Sequence, residues 1–304
     1  MTIQKLSRQS ANATTTGRKQ RKPSRGATRN RPNHLPQIVL VGLLSIGGLA
    51  MVLPFVWMVT TSLSRQSNSA MPRTPTFWPP DPSLFNYEVA ATSLPIERFY
   101  LNSLIVVGLT TVGYLFCSAL TGYAFAKGRF PGKSFFFIAF LSTLLLPFET
   151  RMIPLYDLMS TLNWNNTYWA LIMPFLAGGF GTFLMRQHIS NLPDELIHAA
   201  RLDGASEFRI FLQLVLPLCK PALAALAIIN IIWRWNDLLW PLLVTSERDM
   251  YTVTQGLAMA GRSTGIHTGV ALATATMAVL PVMIIYVILQ RQIIQGIAMS
   301  GMKG

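Results

Sequence analysis

Apolar residues run along this chain in long blocks that charged residues seldom interrupt. Six blocks reach the roughly 20 residues that a helix needs to cross a bilayer: 37–63, 101–125, 134–155, 168–185, 222–244 and 269–289. Each predicts a membrane helix. Pro54 falls inside the first, as membrane helices tolerate. That block starts too far from the N-terminus, and runs too long, for a cleaved signal peptide. Between the fourth and fifth blocks the pattern changes. Residues 191–221 read NLPDELIHAARLDGASEFRIFLQLVLPLCKP, with charged and apolar positions at helical spacing. A second polar stretch separates the first two blocks. Five prolines between Pro72 and Pro82 exclude regular helix there, and Phe77 and Trp78 suit a membrane interface.

Composition sharpens this picture. Only 12% of residues are charged, about half the share in a soluble domain, so lipid is the expected solvent. The fold class is all-α, an integral membrane protein with six transmembrane helices. The net charge of +13 is unevenly placed: nine Lys/Arg and no acids lie in residues 1–34. That Ser/Thr/Asn-rich tail, taken as residues 1–35, reads as disordered. Anionic lipid is its expected partner rather than nucleic acid. With the N-terminus inside, inside segments hold 18 Lys/Arg and outside segments six. The positive-inside rule then places both termini and the 191–221 loop in the cytoplasm of a plasma (inner) membrane protein.

The loop has the chemistry of two short helices. Pro193 suits a first turn, and Asp194 and Glu195 suit the positive helix end. Gly204 stands where the chain must reverse through left-handed backbone. Ser206 can cap a second helix, with Glu207 in its first turn. Phe208, Phe211, Leu212 and Val215 form an apolar stripe before Pro217 and Pro221. The first helix, between Pro193 and the Asp203–Gly204 turn, presents small and polar side chains and is not built for burial in lipid.

The run HAARLDGASEFRIFLQLVLPLCKPAL resembles the EAA loop of membrane subunits of ATP-binding-cassette importers. Ala199, Ala200, Asp203, Gly204, Ala205, Phe211, Leu216, Pro217 and Pro221 stand where that family has them. The resemblance covers residues 36–304. It narrows to the sugar-type branch through LNSLIVV, YAFAKGRFPGKS, MIPLYDL, FGTFLMRQ, WNDLLWPLLV and QGIAMSGMKG. It implies a non-catalytic permease subunit, half of a pathway for a sugar or sugar-like solute such as an oligosaccharide, polyol or glycosylglycerol. A permease for glycerol 3-phosphate or a glycerophosphodiester is the alternative. The implied partners are a second homologous permease subunit, two cytoplasmic ATPase subunits that use ATP and Mg, and an extracytoplasmic solute-binding protein. The residues it assigns to ATPase coupling are Glu195, His198, Ala199, Ala200, Asp203, Gly204 and Ala205. His198 departs from the family, which usually has Glu there.

Other candidates carry less. GRFPGKS at 128–134 has three residues between its glycines, where a phosphate loop needs four, and no strand precedes it. Cys117 and Cys219 lie in or beside apolar blocks and read as packing residues. The four histidines lack metal-ligand spacing, so neither a metal site nor a bound cofactor is expected. No carboxylate pair or nucleophile–base set asks for catalysis. Arg234 and Asp237, three apart, would share a helix face and either brace the bundle or line a solute pathway. Asn230 is a further pathway candidate, or else an interhelical hydrogen-bonding group. Asn236 completes the tentative pathway set. Trp233, Trp235 and Trp240 read as an outer aromatic belt. Glu149 and Arg151 near the outer end of the third block form an ion pair or meet the binding protein. A secondary transporter would instead predict internal repeats and midplane charges. A membrane scaffold would depend on the basic tail.

Overall fold

The structure is a computed structural model that describes residues 35–68, 77–79, 81–260 and 268–301. The basic tail at 1–34 lies outside the described residues, as do three of the five prolines between Pro72 and Pro82. Regular structure among the described residues is helical, and the only β contact is an isolated bridge between Ser64 and Pro82. The all-α expectation holds. In chain order the helices are α1 (Leu35–Ser62), α2 (Phe85–Ser93), α3 (Ile96–Lys127), α4 (Lys133–Ser142), α5 (Phe148–Thr161), α6 (Tyr168–Ile172) and α7 (Gly179–Ser190). They continue with α8 (Asp194–Leu202), α9 (Glu207–Ile210), α10 (Leu216–Leu218), α11 (Lys220–Trp235), α12 (Leu239–Val244), α13 (Val253–Ala260) and α14 (Thr268–Gly301). The packing described below is that of residues 52–304.

Among the described residues, α1 and α3 are the unbroken helices long and apolar enough to cross a membrane. Three further candidates are bent pairs. The third block is not one rod: α4 and α5 meet at 103°. Pro147 causes the break. It lacks an N–H, and it holds Leu146 extended at φ −88° and ψ 115°. The fourth block bends by 42° between α6 and α7, where Pro174 opens a short 3₁₀ turn. The fifth block also breaks, since α11 ends at Trp235 and α12 starts at Leu239. Side chains add to the remaining backbone bonds there. Asn236 donates to the Ile232 carbonyl at 2.8 Å, and Asp237 accepts from the Trp240 amide at 3.4 Å. The first polar stretch holds a helix that hydropathy did not predict, α2. Its Asn86 donates to the carbonyls of Ser62 and Ser64 at 2.8 and 3.0 Å, tying it to the end of α1.

The tightest helix pair is α3 against α7. Gly122 lets the backbones meet: a Cβ there would lie 2.7 Å from the Met185 Cβ and 2.9 Å from the Arg186 amide nitrogen. Polar groups seal the seam, with Thr121 and Thr182 hydroxyls 2.8 Å apart and Tyr114 accepting from the Gly181 amide at 2.9 Å. Small residues and hydroxyls are what membrane helix interfaces use, since lipid offers no hydrophobic drive for one helix to seek another.

A second lock explains the LNS run. Asn102 is wholly buried. It donates to the carbonyls of Asp249 and Tyr251 at 2.7 and 2.9 Å and accepts from the Tyr168 hydroxyl at 2.7 Å. Ser103 accepts from the Val253 amide at 2.8 Å. One polar pair on α3 thus holds the irregular chain ahead of α13. The aromatic-belt expectation is overturned for two of its three members. Trp235 and Trp240 are buried in core clusters, and their indoles donate to the carbonyls of Ala278 and Ala170 at 3.3 and 2.9 Å. A buried indole N–H needs an acceptor, and carbonyls of α14 and α6 supply it. Only Trp233 is exposed.

Because the atoms facing Gly122 are backbone and Cβ, they cannot swing aside. Gly122→Ala should cost about 1–3 kcal/mol, read as a lower midpoint of thermal unfolding in detergent. An unchanged midpoint would show that the α3–α7 seam can open without cost.

Candidate functional site

The polar loop is fixed at both ends to the helices above it. Pro193 sits one position before the first residue of α8, in extended conformation, and Asp194 and Glu195 occupy the first turn. Buried Lys127, at the end of α3, donates to Asp194 Oδ1 at 2.6 Å and to the Leu192 carbonyl at 2.7 Å. Lys133 donates to the carbonyls of Ala126 and Gly128, closing the end of α3. α8 ends in a Schellman turn. Gly204 has φ +79°, its amide donates to the Arg201 carbonyl at 3.0 Å, and the Ala205 amide donates to the Ala200 carbonyl at 3.0 Å. Ser206 then caps α9 by accepting from the Arg209 amide. Glu207 is held from two sides: Arg201 Nε donates to Oε1 and the Tyr123 hydroxyl to Oε2, both at 2.7 Å.

The apolar side of the loop does not follow the expected stripe. Ile197, Ile210, Phe211, Val215 and Cys219 are buried in one cluster with Tyr123, Met185 and Ile189. Phe208 and Leu212, both expected in the stripe, are exposed. The reason is a π-helical turn at Phe211–Val215. It adds a residue to the turn and re-aims the face so that residues 211, 215 and 219 point inward. What remains outside on α8 and its turn is Asp194, Glu195, Leu196, His198, Ala199, Leu202, Asp203 and Gly204. Ala200 and Ala205 are half-buried against the cluster. Leu202 is 89% exposed. Sequence reasoning overlooked it; a leucine just before a left-handed turn on a polar helix was the available signal.

The pathway candidates separate. Asn230 and Arg234 line a cavity of about 640 Å³, while Asn236 and Asp237 are not on its wall. Asn230 also accepts from the Thr111 hydroxyl at 3.0 Å, so it bridges α11 and α3. Arg234 donates to Asp237 at 2.8 Å, and its guanidinium lies 3.8 Å from the centre of the Phe175 ring. Asp237 sits in the break beyond α11, so the pair forms across a helix end, not along one face. Arg151 lines the same cavity near Phe148. Glu149 and Arg151 form no ion pair; those among the described residues are Lys127–Asp194, Arg201–Glu207 and Arg234–Asp237.

Residues 115–299 match the family described as the binding-protein-dependent transport system inner membrane component. The chain belongs to that family. It is therefore a non-catalytic membrane permease subunit, as the resemblance of its loop implied. Relatives at high similarity are transport permeases. The AraQ permease of the arabinooligosaccharides transport system of Halalkalibacterium halodurans is 40% identical over 203 residues, 67% of this chain and 73% of its own length. The UgpE permease of the sn-glycerol-3-phosphate transport system of Yersinia pestis is 35% identical over 265 residues, 85% of this chain and 94% of its own length. Among solved structures, a bacterial ABC transporter involved in import of the acidic polysaccharide alginate superimposes with TM-score 0.76 at 23% identity, over 86% of this chain and 97% of that chain. At that identity the likeness speaks for the permease fold.

The Asp194 carboxyl is held below its ordinary value of 3.8, first by the hydrogen bond from Lys127 and then by that ammonium's charge. A depressed carboxyl pKa contributes stability above its unfolded value, and that contribution is lost as pH falls through the folded value. Hydrogen exchange across residues 191–202 should therefore be constant from pH 7 to about 5 after correction for intrinsic rate, and faster below about pH 4. Asp194→Asn should exchange faster throughout and lose the acid step. An acid step unchanged in the variant would show that another group sets it.

Proposed function

We propose that α8 and its Gly204 turn are the coupling element through which this permease meets a cytoplasmic ATPase. Glu195, His198, Ala199, Ala200, Asp203, Gly204 and Ala205 form or shape the contact, and Leu202 joins them. The observation that carries this reading is the division of α8. One side is locked by Ile197, Lys127 and the Glu207 clamp. The other leaves Leu202 almost fully in the open. A rigid element with an uncovered apolar tip transmits force, whereas a loose loop would absorb it.

In this reading residues 1–35 are a cytoplasmic tail on anionic lipid, and residues 36–304 form the permease domain with both termini in the cytoplasm. One chain carries one coupling loop. It therefore works with a second homologous permease subunit and two ATPase subunits that consume ATP and Mg. An extracytoplasmic binding protein delivers the solute. Closure of the ATPase dimer moves the loop, and the spans alternate between outward and inward access. The solute is a sugar or sugar-like molecule. The permeases of arabinooligosaccharide and glycerol 3-phosphate systems among the relatives support that class. Glycerol phosphates are thereby the second reading.

Two substitutions test the coupling element by co-purification with the ATPase and by ATP-driven uptake in proteoliposomes. Gly204→Val meets nothing within 4 Å, so its effect is the backbone strain of a β-branched residue at positive φ. It should weaken association and uptake together. Leu202→Asp removes no packed contact; it should reduce association at least about tenfold, the range of a lost interface anchor, and leave the unfolding midpoint unchanged. Survival of both activities in both variants would refute the assignment.

A further inference from the structure

The solute cavity has a charge pattern that its position alone does not require. It is bounded by α3, α4, α5, α7, α11 and the turn between α6 and α7. Its volume suits a small saccharide or polyol. Ring faces line it from Tyr114, Phe148, Phe175, Phe180 and Trp233. Two guanidiniums, Arg151 and Arg234, reach the wall, and no carboxylate does.

The two arginines differ. Arg234 is countered by Asp237 and lies over the Phe175 ring. One of its five N–H donors is used by that pair, and the hydrogen-bond capacity of the rest is unspent. Arg151 has no acidic partner among the described residues. Its only described contact is with the Phe148 ring, 5.8 Å from the ring centre. A wall serving neutral sugars would need ring faces and amides such as Asn230. It gains nothing from an uncompensated guanidinium, which keeps its own hydration and competes for the sugar hydroxyls. An anion changes the balance, because guanidinium pairs with carboxylate or phosphate through two parallel, charge-assisted bonds.

We propose that this cavity takes an anionic saccharide or polyol, one bearing a carboxylate or phosphate, and that Arg151 distinguishes it from its neutral counterpart. Ring faces hold the carbon skeleton, Arg151 takes the anionic group, and Arg234 and Asn230 orient hydroxyls. This rests on the permease reading above and adds the substrate class to it.

The test is calorimetric titration of the purified complex of both permease subunits and the ATPases, without binding protein. Two matched pairs serve as probes: trigalacturonate against trigalactose, and glycerol 3-phosphate against glycerol. The anionic member of at least one pair should bind about tenfold or more tightly than its neutral partner. Which pair does so distinguishes carboxylate from phosphate recognition. Arg151→Gln should bring the two members to parity by weakening the anionic one about tenfold or more, and Arg151→Lys should restore part of the difference. Arg151 is exposed, so neither variant threatens the fold, and an unchanged unfolding midpoint checks this. Equal or tighter binding of the neutral members, binding of neither pair, or equal losses in Arg151→Gln would overturn the proposal. ATPase association is read independently through Leu202→Asp, so the solute class can fail while the coupling assignment stands.

Discussion

The close approach of α3 and α7 at Gly122 is the contact on which the rest of this structure rests. Lipid gives no hydrophobic reward for bringing two membrane helices together, so the gain must come from packing and from polar groups that meet across the seam. Here the backbones touch where a side chain is missing. Thr121, Thr182, Tyr114 and the Gly181 amide fill the polar positions beside it. That pairing sets Tyr123, Met185 and Ile189 side by side. They form the floor on which Ile197, Ile210, Phe211 and Val215 of the 191–221 loop are seated. A residue with no side chain thus determines how firmly a distant polar element is held.

The loop's attachment also shows why its polar contacts matter. Surface ion pairs contribute little on their own. Lys127 is not a surface residue, however, because its side chain is 8% exposed. Its ammonium is satisfied by a carboxylate and a carbonyl from the first residues around α8. Leaving it unpaired would strand a charge, so the start of α8 is tied to the end of α3 by the cost of the alternative. At the far end of α8 the more exposed Arg201–Glu207 pair is joined to α3 through the Tyr123 hydroxyl. The helix between them is short, yet it is anchored at both ends.

Much of this was legible in the sequence. Apolar block length located α1 and α3 as unbroken candidate spans among the described residues, and turn chemistry located the Gly204 reversal and the Ser206 cap. Hydropathy is blind to direction, so it could not show that Pro147 turns the third block through 103°. It also ran through Asn236–Leu238, because two polar residues among tryptophans barely lower a window average. Trp235 and Trp240 read as interfacial because indole is amphipathic, while the carbonyls that accept from them belong to α14 and α6, far away in sequence. The stripe at Phe208 and Leu212 failed for a similar reason. A 3.6-residue period assumes α-helix, and the π turn is invisible to it. For the cavity, sequence reasoning found Asn230 and Arg234 but not Arg151 as their neighbour, since that meeting depends on the bend after Pro147.

The 78° bend between the α9–α10 segment and α11 has a mechanical meaning. It sets the two helices like the arms of a bell crank that meet at Cys219, one arm joined to the 191–221 loop and the other carrying Asn230 and Arg234. At 1.5 Å per residue, the distance from Lys220 to Arg234 is about 21 Å. A rotation of about 10° at the pivot would then sweep the Arg234 guanidinium through roughly 4 Å, more than the length of a hydrogen bond.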